Sequence, residues 1–187
     1  AFESGEPAER MLNALGGLRG RLERLGIEFL PLLVGGGNAE RWRLIVGEAG
    51  WPADTPKDEL TELVARFQEA GVRVSVFVDP APAPIEWAAD LGADRVELYT
   101  EPYARAFEQG GDALDASLAA YRAAADHAAA CKLGVNAGHD LDLDNLPTFL
   151  TVPHLEEVSI GHALMARAMF VGLSTVVREY VALTGSR

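Results

Sequence analysis

The sequence predicts an α/β fold with a parallel sheet, of the (β/α)8-barrel type. Short apolar runs alternate with amphipathic helical segments through the C-terminal two thirds of the 187 residues, which is the pattern of successive strand-helix units. Two of the runs end in a Gly-His pair, Gly138-His139 and Gly161-His162. Because a barrel of this type carries its functional residues where strands end and loops begin, the two pairs fit the same architecture.

The individual elements follow from hydrophobic periodicity and from the residues that begin and end each segment. Pro56 and Gly71 delimit the first clear helix, and Asp79-Pro80 ends the buried strand that follows it. The last helix carries apolar residues at i, i+4 and i+7, so we expect that face to pack against the core. The predicted strands are 73–78, 95–99, 133–137 and 157–160, and the predicted helices are 56–70, 84–91, 113–131, 144–150 and 163–183.

The first 47 residues are atypical for such a barrel. Residues 8–25 form a predicted helix with leucines on one face, and residues 35–38 are a Gly-rich turn. Residues 28–34 fit a strand, although Pro31 lacks the amide hydrogen that a ladder needs. This segment alone therefore does not indicate the beginning of an ordinary barrel.

The length of the chain bears on its domain organisation. From Arg73 onward four strand-helix units are predicted, which leaves 72 residues before them, room for about two more units of roughly 31 residues. We therefore expect one barrel-type domain over residues 1–187. Residues 48–187 would be its C-terminal units, behind an atypical or incomplete N-terminal part at residues 1–47.

Composition and charge exclude several classes of partner. The chain has 16 basic and 28 acidic residues and a net charge of −12, which argues against binding to nucleic acid or to anionic membrane. Its lone Cys131 fits a reducing compartment. The N-terminus lacks the basic and apolar regions of a signal peptide, and no apolar run approaches the roughly 18 residues of a membrane span. We therefore expect a cytoplasmic protein without nucleic-acid or membrane partners.

The two Gly-His pairs indicate a site that handles phosphate. Where a strand ends and a helix begins, backbone N–H groups and the positive end of the helix dipole point at one spot, and this arrangement suits a phosphate group. Histidine moves protons near neutral pH with the smallest adjustment of its pKa. The pattern therefore predicts phosphorylated small-molecule substrates at these strand ends.

Each of these residues also has a purely structural interpretation. His139 fits a hydrogen-bonded strand end, and Gly161-His162 fits a plain turn in which glycine allows positive φ. Glu97 ends a predicted strand, where it fits an ion pair with Arg95 or Lys132. The alternating aspartates at 140, 142 and 144 lack the closing Glu of a calcium loop, so no metal site is predicted.

Several segments resemble pyridoxine 5′-phosphate synthases, and they occur in the same order. The sequence Gly-Val-Asn-Ala-Gly-His at residues 134–139 is similar to that family's Val-Asn-Ala-Gly-His segment. The match covers roughly residues 48 to 183. The resembling segments are 74–79, 96–100, 134–146, 157–164 and 167–173.

The resemblance implies a (β/α)8 barrel that condenses 1-deoxy-D-xylulose 5-phosphate with 3-amino-2-oxopropyl phosphate. The product is the pyridoxine 5′-phosphate of vitamin B6 biosynthesis, formed without a metal or organic cofactor by a homo-oligomer that is usually an octamer. His139 would be the general acid and Glu97 a carboxylate that stabilises a transition state. Gly161 and His162 would bind phosphate, and Asp140 occupies a binding position that is often Gly.

One departure from the family leaves alternatives open. The family's first strands supply an Asn, an Asp-His pair, an Arg, a basic His and a second basic Glu, and residues 1–47 contain no such motifs. All four histidines lie at or beyond position 127. The interpretations are an active synthase, a non-catalytic or engineered phosphate-binding remnant of the barrel, or another barrel that processes phosphosugars.

Overall fold

The computed structural model describes residues 29–32, 43–46, 57–69 and 71–185. Within these ranges the chain has an α/β fold with six strands and seven helices. In chain order they are β1 (Phe29–Leu32), β2 (Arg43–Val46), α1 (Lys57–Glu69), β3 (Arg73–Val78), α2 (Pro82–Asp90), β4 (Arg95–Tyr99), α3 (Glu101–Gln109), α4 (Gly111–Ala130), β5 (Gly134–Gly138), α5 (Leu146–Phe149), β6 (Leu155–Ser159), α6 (His162–Val171) and α7 (Leu173–Thr184).

The described residues fall into two units. The first runs to Phe77 and takes in Ala88–Arg95, and the second comprises Val78–Trp87 and the chain from Val96 onward. The predicted site residues all belong to the second unit.

In the first unit the strand order is β1-β2-β3. β1 runs antiparallel to β2, with Pro31 opposite Leu44, and β2 runs parallel to β3, with Arg43 opposite Arg73. A strand at the edge of a sheet is where proline is tolerated, which explains why β1 forms despite Pro31. The strands of a (β/α)8 barrel are all parallel, and β1 departs from that pattern. The α/β class is confirmed, and the closed barrel stays a prediction.

In the second unit the strand order is β4-β5-β6. β5 and β6 are parallel, and Gly138 at the end of β5 lies opposite Ser159 at the end of β6. The register shifts between Val135 and Asn136, which face Leu155 and Glu157. The two strands that precede the Gly-His pairs are therefore neighbours, and they end at the same edge of the sheet.

An aromatic cluster formed by Tyr103, Tyr121 and Phe149 fills the core of the second unit. Each of the three side chains is at most 1% exposed. The ring of Phe149 lies 4.8 Å from that of Tyr103 and 5.2 Å from that of Tyr121, both in edge-to-face geometry. Edge-to-face pairs at this distance contribute about 0.5–1.5 kcal/mol each beyond the burial of their surface.

Most of the predicted elements within the described residues are confirmed. β3 and β4 have the predicted bounds, and the ends of the other predicted strands and of the first four predicted helices differ by no more than two residues. The predicted strand at residues 28–34 is confirmed over Phe29–Leu32. The predicted helix at residues 8–25 and the Gly-rich turn at residues 35–38 lie outside the described residues.

Helix α3 was not predicted. It begins at Glu101-Pro102 and buries Tyr103 and Ala106. Tyr103, Ala106 and Phe107 stand at i, i+3 and i+4, and a proline lies in the first turn, two favourable signals that the sequence analysis did not use.

The prediction of one continuous last helix is wrong. Gly172 has φ +84° and ψ 142°, so the helix ends there and α7 begins at the next residue. Glycine adopts this conformation without the steric cost that a side chain brings.

The prediction that this helix packs an apolar face on the core is also wrong for α6. No residue of α6 is buried, and the predicted face residues Leu164 and Ala168 are only half-buried, while Val171 is exposed. The large apolar side chains that α6 and α7 leave exposed, called here the α6–α7 apolar face, are Met165, Met169, Phe170, Val171, Leu173, Val177 and Val181.

A helix must be both long and apolar to cross a membrane. Within the described residues, none is both long and apolar enough to cross a bilayer.

Candidate active site at the ends of strands β4 to β6

Glu97 is a buried carboxylate in β4. Glu97 is 4% exposed. Ser159 Oγ, at the end of β6, donates a hydrogen bond to Glu97 Oε2 at 3.2 Å. A buried carboxylate is stable only when hydrogen bonds or charges compensate for the loss of water, and Ser159 supplies part of that compensation.

Gly138 makes room for this carboxylate. A Cβ atom at position 138 would overlap Glu97 Oε1, and it would lie 3.3 Å from Glu97 Cδ and 3.0 Å from Ser159 Cβ. The Glu97 side chain therefore crosses the end of β5 directly above the backbone of Gly138. Only glycine leaves that space, so this half of the first Gly-His pair has a steric role.

His139 follows β5 in a left-handed backbone conformation. Its φ is +83°, and that of Asp140 is +54°. Histidine and aspartate are among the residues that adopt this region more readily than others, although at some energetic cost. The half-buried imidazole lies edge-on to the ring of Tyr99, with 5.3 Å between the ring centroids.

Thr100 and Asn145 bind the backbone around these two residues. Thr100, which is fully buried, donates its N–H to Gly138 O at 3.0 Å, and its hydroxyl contacts the carbonyl oxygens of Gly138, at 2.6 Å, and His139. Asn145 Nδ2 donates to Asp140 O at 2.9 Å. Sequence reasoning missed both residues, because no local pattern around Thr100 or Asn145 reports their contacts with this turn.

The Asp142 carboxylate organises the loop after His139. Asp142 Oδ1 accepts hydrogen bonds from the N–H groups of Asp144, at 2.9 Å, and Asn145, at 2.8 Å. In the part of the chain that the structure describes, no group of three or more His, Cys, Asp or Glu residues is arranged to hold a metal ion.

The aromatic cluster supports the site through hydrogen bonds from its two tyrosine hydroxyls. Tyr103 donates its hydroxyl to Asn145 O at 2.7 Å, and Tyr121 donates its hydroxyl to Tyr99 O. Burial raises the pKa of Tyr103 to about 12, and it raises the pKa of Tyr121 further above the ordinary value of a phenol. The two buried hydroxyls are therefore kept protonated, as hydrogen-bond donors to the backbone near His139.

Gly161 and His162 connect β6 to α6. His162 is the first residue of this ten-residue helix, and its side chain is exposed. Gly161 has φ −113°, and a Cβ atom there would meet nothing within 4 Å. The interpretation that Gly161 supplies a positive φ is therefore wrong, and the local backbone does not require glycine at this position.

The remaining histidines do not follow the carboxyl end of a strand. His127 lies on α4 and His154 lies in the loop before β6, and each forms a pair with an acidic residue. His127 Nε2 lies 3.1 Å from Glu86 Oε1, and His154 Nε2 lies 3.1 Å from Asp126 Oδ1.

The structure thus brings together Glu97, Gly138, His139 and Ser159 through direct contacts or chain adjacency. Gly161 and His162 follow Ser159 by two and three residues at the same edge of the sheet. The convergence of the two imidazoles on one ligand stays a prediction.

Comparison with known proteins identifies the family. The model of the family described as "Pyridoxal phosphate biosynthesis protein PdxJ" matches residues 40–186. A pyridoxine 5′-phosphate synthase of Cytophaga hutchinsonii is 49% identical over 138 residues, which cover 73% of this chain and 57% of the relative. The corresponding protein of Porphyromonas gingivalis is 46% identical over 138 residues, with the same coverage of 73% and 57%.

A third relative, the pyridoxine 5′-phosphate synthase of Xanthomonas oryzae pv. oryzae, is 52% identical over 131 residues, which cover 69% of this chain and 51% of the relative. Among solved structures, the chain is similar to coproporphyrinogen III oxidase (HemN) from Escherichia coli, a radical SAM enzyme, with a TM-score of 0.36 and 13% identity over 70% of this chain and 37% of that one. That score is too low to define the fold. The chain spans little more than half the length of the curated relatives it matches. On the extent of the family match and the identity to these relatives, the chain belongs to the PdxJ family of pyridoxal phosphate biosynthesis proteins.

Proposed function

We propose that this protein acts as a pyridoxine 5′-phosphate synthase, which condenses 1-deoxy-D-xylulose 5-phosphate with 3-amino-2-oxopropyl phosphate. The proposal rests on one observation: the buried carboxylate of Glu97 lies against the backbone of Gly138, and Gly138 immediately precedes His139 in the chain. Membership of the PdxJ family supports it. The chain matches 57% of the length of the Cytophaga relative, so the activity of a whole synthase is part of the proposal.

We assign proton transfer to His139 and charge stabilisation to Glu97. Ring closure requires imine formation, dehydration and loss of phosphate, and each step moves protons near neutral pH, which suits a histidine as general acid. A carboxylate fixed in a water-poor site stabilises positive charge that develops on an iminium-like intermediate. The contact between Glu97 and Ser159 supports this role because it holds the carboxylate in one position.

We assign phosphate binding to Gly161, His162 and Asp140. The N-terminus of α6 begins at His162, and a helix N-terminus favours an anion without requiring a basic surface. Asp140 has φ +54°, a conformation that glycine adopts freely, which fits a position that is often Gly in the family.

The finer features of the family are also part of the proposal. We propose a single (β/α)8-type domain in a cytoplasmic homo-oligomer, an octamer by resemblance, that uses no metal or organic cofactor. The α6–α7 apolar face supports association, because exposed apolar surface of this kind marks a contact surface.

A turnover assay with both substrates tests the proposal. We expect pyridoxine 5′-phosphate to form, and we expect His139→Ala to reduce kcat by about 100-fold or more, since a general acid contributes a factor of that order. The matched control is His154→Ala, which removes an exposed histidine paired with Asp126 and should leave turnover unchanged.

Two results would contradict the proposal. If His139→Ala turns over at the wild-type rate, His139 is not the general acid. If the wild-type chain forms no product but inorganic phosphate still shifts the NMR resonances of His162, the protein is a phosphate-binding remnant of the barrel.

A further inference from the structure

The backbone that carries His139 is held by side chains from outside its own loop. The three successive carbonyl oxygens of Gly138, His139 and Asp140 all lie within hydrogen-bond distance of a buried polar side chain. The single hydroxyl proton of Thr100 is shared between the first two, and Asn145 donates to the third. The donors are Thr100, at the end of β4, and Asn145, at the start of α5. Both donors are buried, so water does not replace these hydrogen bonds at little cost when the side chain is removed.

The hydrogen bonds of Thr100 are directed at this turn and not at its own helix. Thr100 occupies the N-cap position of α3, yet its side chain makes no capping hydrogen bond there. Its hydroxyl instead reaches the carbonyl oxygens of Gly138 and His139, 38 and 39 residues further along the chain. A threonine that gives up the ordinary capping interaction for a distant turn has a role in that turn.

The geometry of a trans peptide gives these contacts a consequence. All peptide bonds in the described residues are trans, so the N–H of each residue points away from the carbonyl of the residue before it. The carbonyl groups of Gly138 and His139 belong to the two peptide planes on either side of the His139 Cα atom. Fixing these carbonyl groups therefore fixes both planes, and with them the direction of the Cα–Cβ bond of His139. That bond determines where the imidazole lies.

We propose that Thr100 is a positioning residue, whose hydroxyl holds the left-handed turn at His139 and thereby places the imidazole for proton transfer. The proposal rests on the proposed function in assigning that transfer to His139. Thr100 acts through the backbone and touches neither substrate nor imidazole in this mechanism. Asn145 completes the arrangement by holding the carbonyl of Asp140.

Substitutions at Thr100 test this in the full 187-residue chain. Thr100→Val removes the hydroxyl at nearly constant volume, and Thr100→Ser keeps it. The matched control is Thr61→Val, because the exposed Thr61 hydroxyl also donates to a backbone carbonyl, that of Lys57 at 3.0 Å, within α1. Each variant is measured by steady-state kinetics, by thermal unfolding and by the ¹H–¹⁵N resonances of His139 and Asp140.

We expect Thr100→Val to unfold cooperatively but to lower kcat by about 10- to 100-fold with KM changed less than about threefold, the size of effect that follows a small misplacement of a catalytic group. Thr100→Ser should recover most of the lost kcat, and Thr61→Val should resemble the wild type. The amide resonances of His139 and Asp140 should shift in Thr100→Val and return in Thr100→Ser.

Wild-type kcat and unshifted resonances in Thr100→Val would overturn the proposal. So would Thr100→Ser behaving like Thr100→Val, because the hydroxyl would then not be the group that acts. The resonances are read without substrate, so they decide about Thr100 even if the wild-type chain shows no turnover and the proposed function fails.

Discussion

The second unit contains two apolar regions that differ in what surrounds them. The aromatic cluster of Tyr103, Tyr121 and Phe149 is buried, and the Phe149 side chain is 0% exposed. On α6, Phe170 is 89% exposed and Met169 is 86% exposed. Both regions consist of large hydrophobic or aromatic side chains, so residue type alone does not identify a core; the elements packed against the side chains do.

The regions also differ in how they relate to the candidate site. The buried cluster reaches the site through hydroxyl groups, since Tyr103 and Tyr121 donate to backbone carbonyls beside it. The α6–α7 pair is joined by a salt bridge in which Arg167 Nε lies 2.6 Å from Glu179 Oε2 and a second guanidinium nitrogen lies 2.8 Å from Oε1. The strand-end residues around His139 are therefore supported by a buried core, whereas the proposed phosphate site lies at the start of a helix whose apolar face is exposed.

Truncating one phenylalanine in each region tests this comparison most strongly. We expect Phe149→Ala to lower the free energy of unfolding by about 3–5 kcal/mol, because it removes a buried ring and leaves a cavity. At a protein concentration low enough to dissociate the proposed oligomer, Phe170→Ala should change it by no more than about 0.5 kcal/mol, because the ring is exposed in the single chain. In the oligomer the loss should be larger, because the face is then covered. Urea unfolding of both variants measures the difference. A large loss in Phe170→Ala would mean that the α6–α7 apolar face is covered in solution.

Alkaline pH tests the same core without a mutation. The pKa of Tyr103 is raised from 10.0 to about 12 in the fold, so its contribution to stability is complete below pH 10 and is lost as the pH rises towards 12. The loss amounts to roughly 3 kcal/mol for this residue, at about 1.36 kcal/mol per unit of pKa. Urea unfolding between pH 9 and pH 12 measures it.

The control for this effect is Tyr103→Phe, which lacks the ionisable hydroxyl. This variant loses the hydrogen bond to Asn145 O, so it should be less stable at neutral pH, but its stability should fall less steeply above pH 10. An equal slope in both proteins would contradict a raised pKa at Tyr103.

A pair of glycine substitutions compares the two Gly-His pairs. In Gly138→Ala the new methyl group collides with the Glu97 carboxylate, so we expect a loss of about 1–3 kcal/mol in stability, as for other overpacked sites. Gly161→Ala meets nothing within 4 Å and should be tolerated by the fold. Thermal unfolding distinguishes them, and equal midpoints would refute the steric role of Gly138.

The sequence allowed most of the framework to be predicted, because local signals were strong there. The buried strand at Arg73–Val78 is a run of alternating β-branched residues bounded by Gly71 and Pro80, and its bounds are confirmed. The break at Gly172 was missed because apolar residues continue on both sides of it, and one glycine within a helical pattern is often tolerated. Whether the apolar face of α6 is covered depends on what packs against it, which no local pattern reports.

The candidate site was predictable in part for a similar reason. Glu97 and His139 lie in segments that resemble the family, so they were identified from the sequence, although Glu97 lies in the middle of β4 and not at its end. Thr100 and Asn145 were not, because their importance comes from contacts with a turn that is distant along the chain or lies outside their own helix.

The shift in pairing between β5 and β6 decides which chemical group faces the buried acid. With the pairing of Val135 and Leu155 continued one for one, Val158 would stand opposite Gly138. The extra residue in β6 moves Ser159 into that place. A single inserted residue thus gives the acid a hydroxyl neighbour where an uninterrupted ladder would have given it two methyl groups.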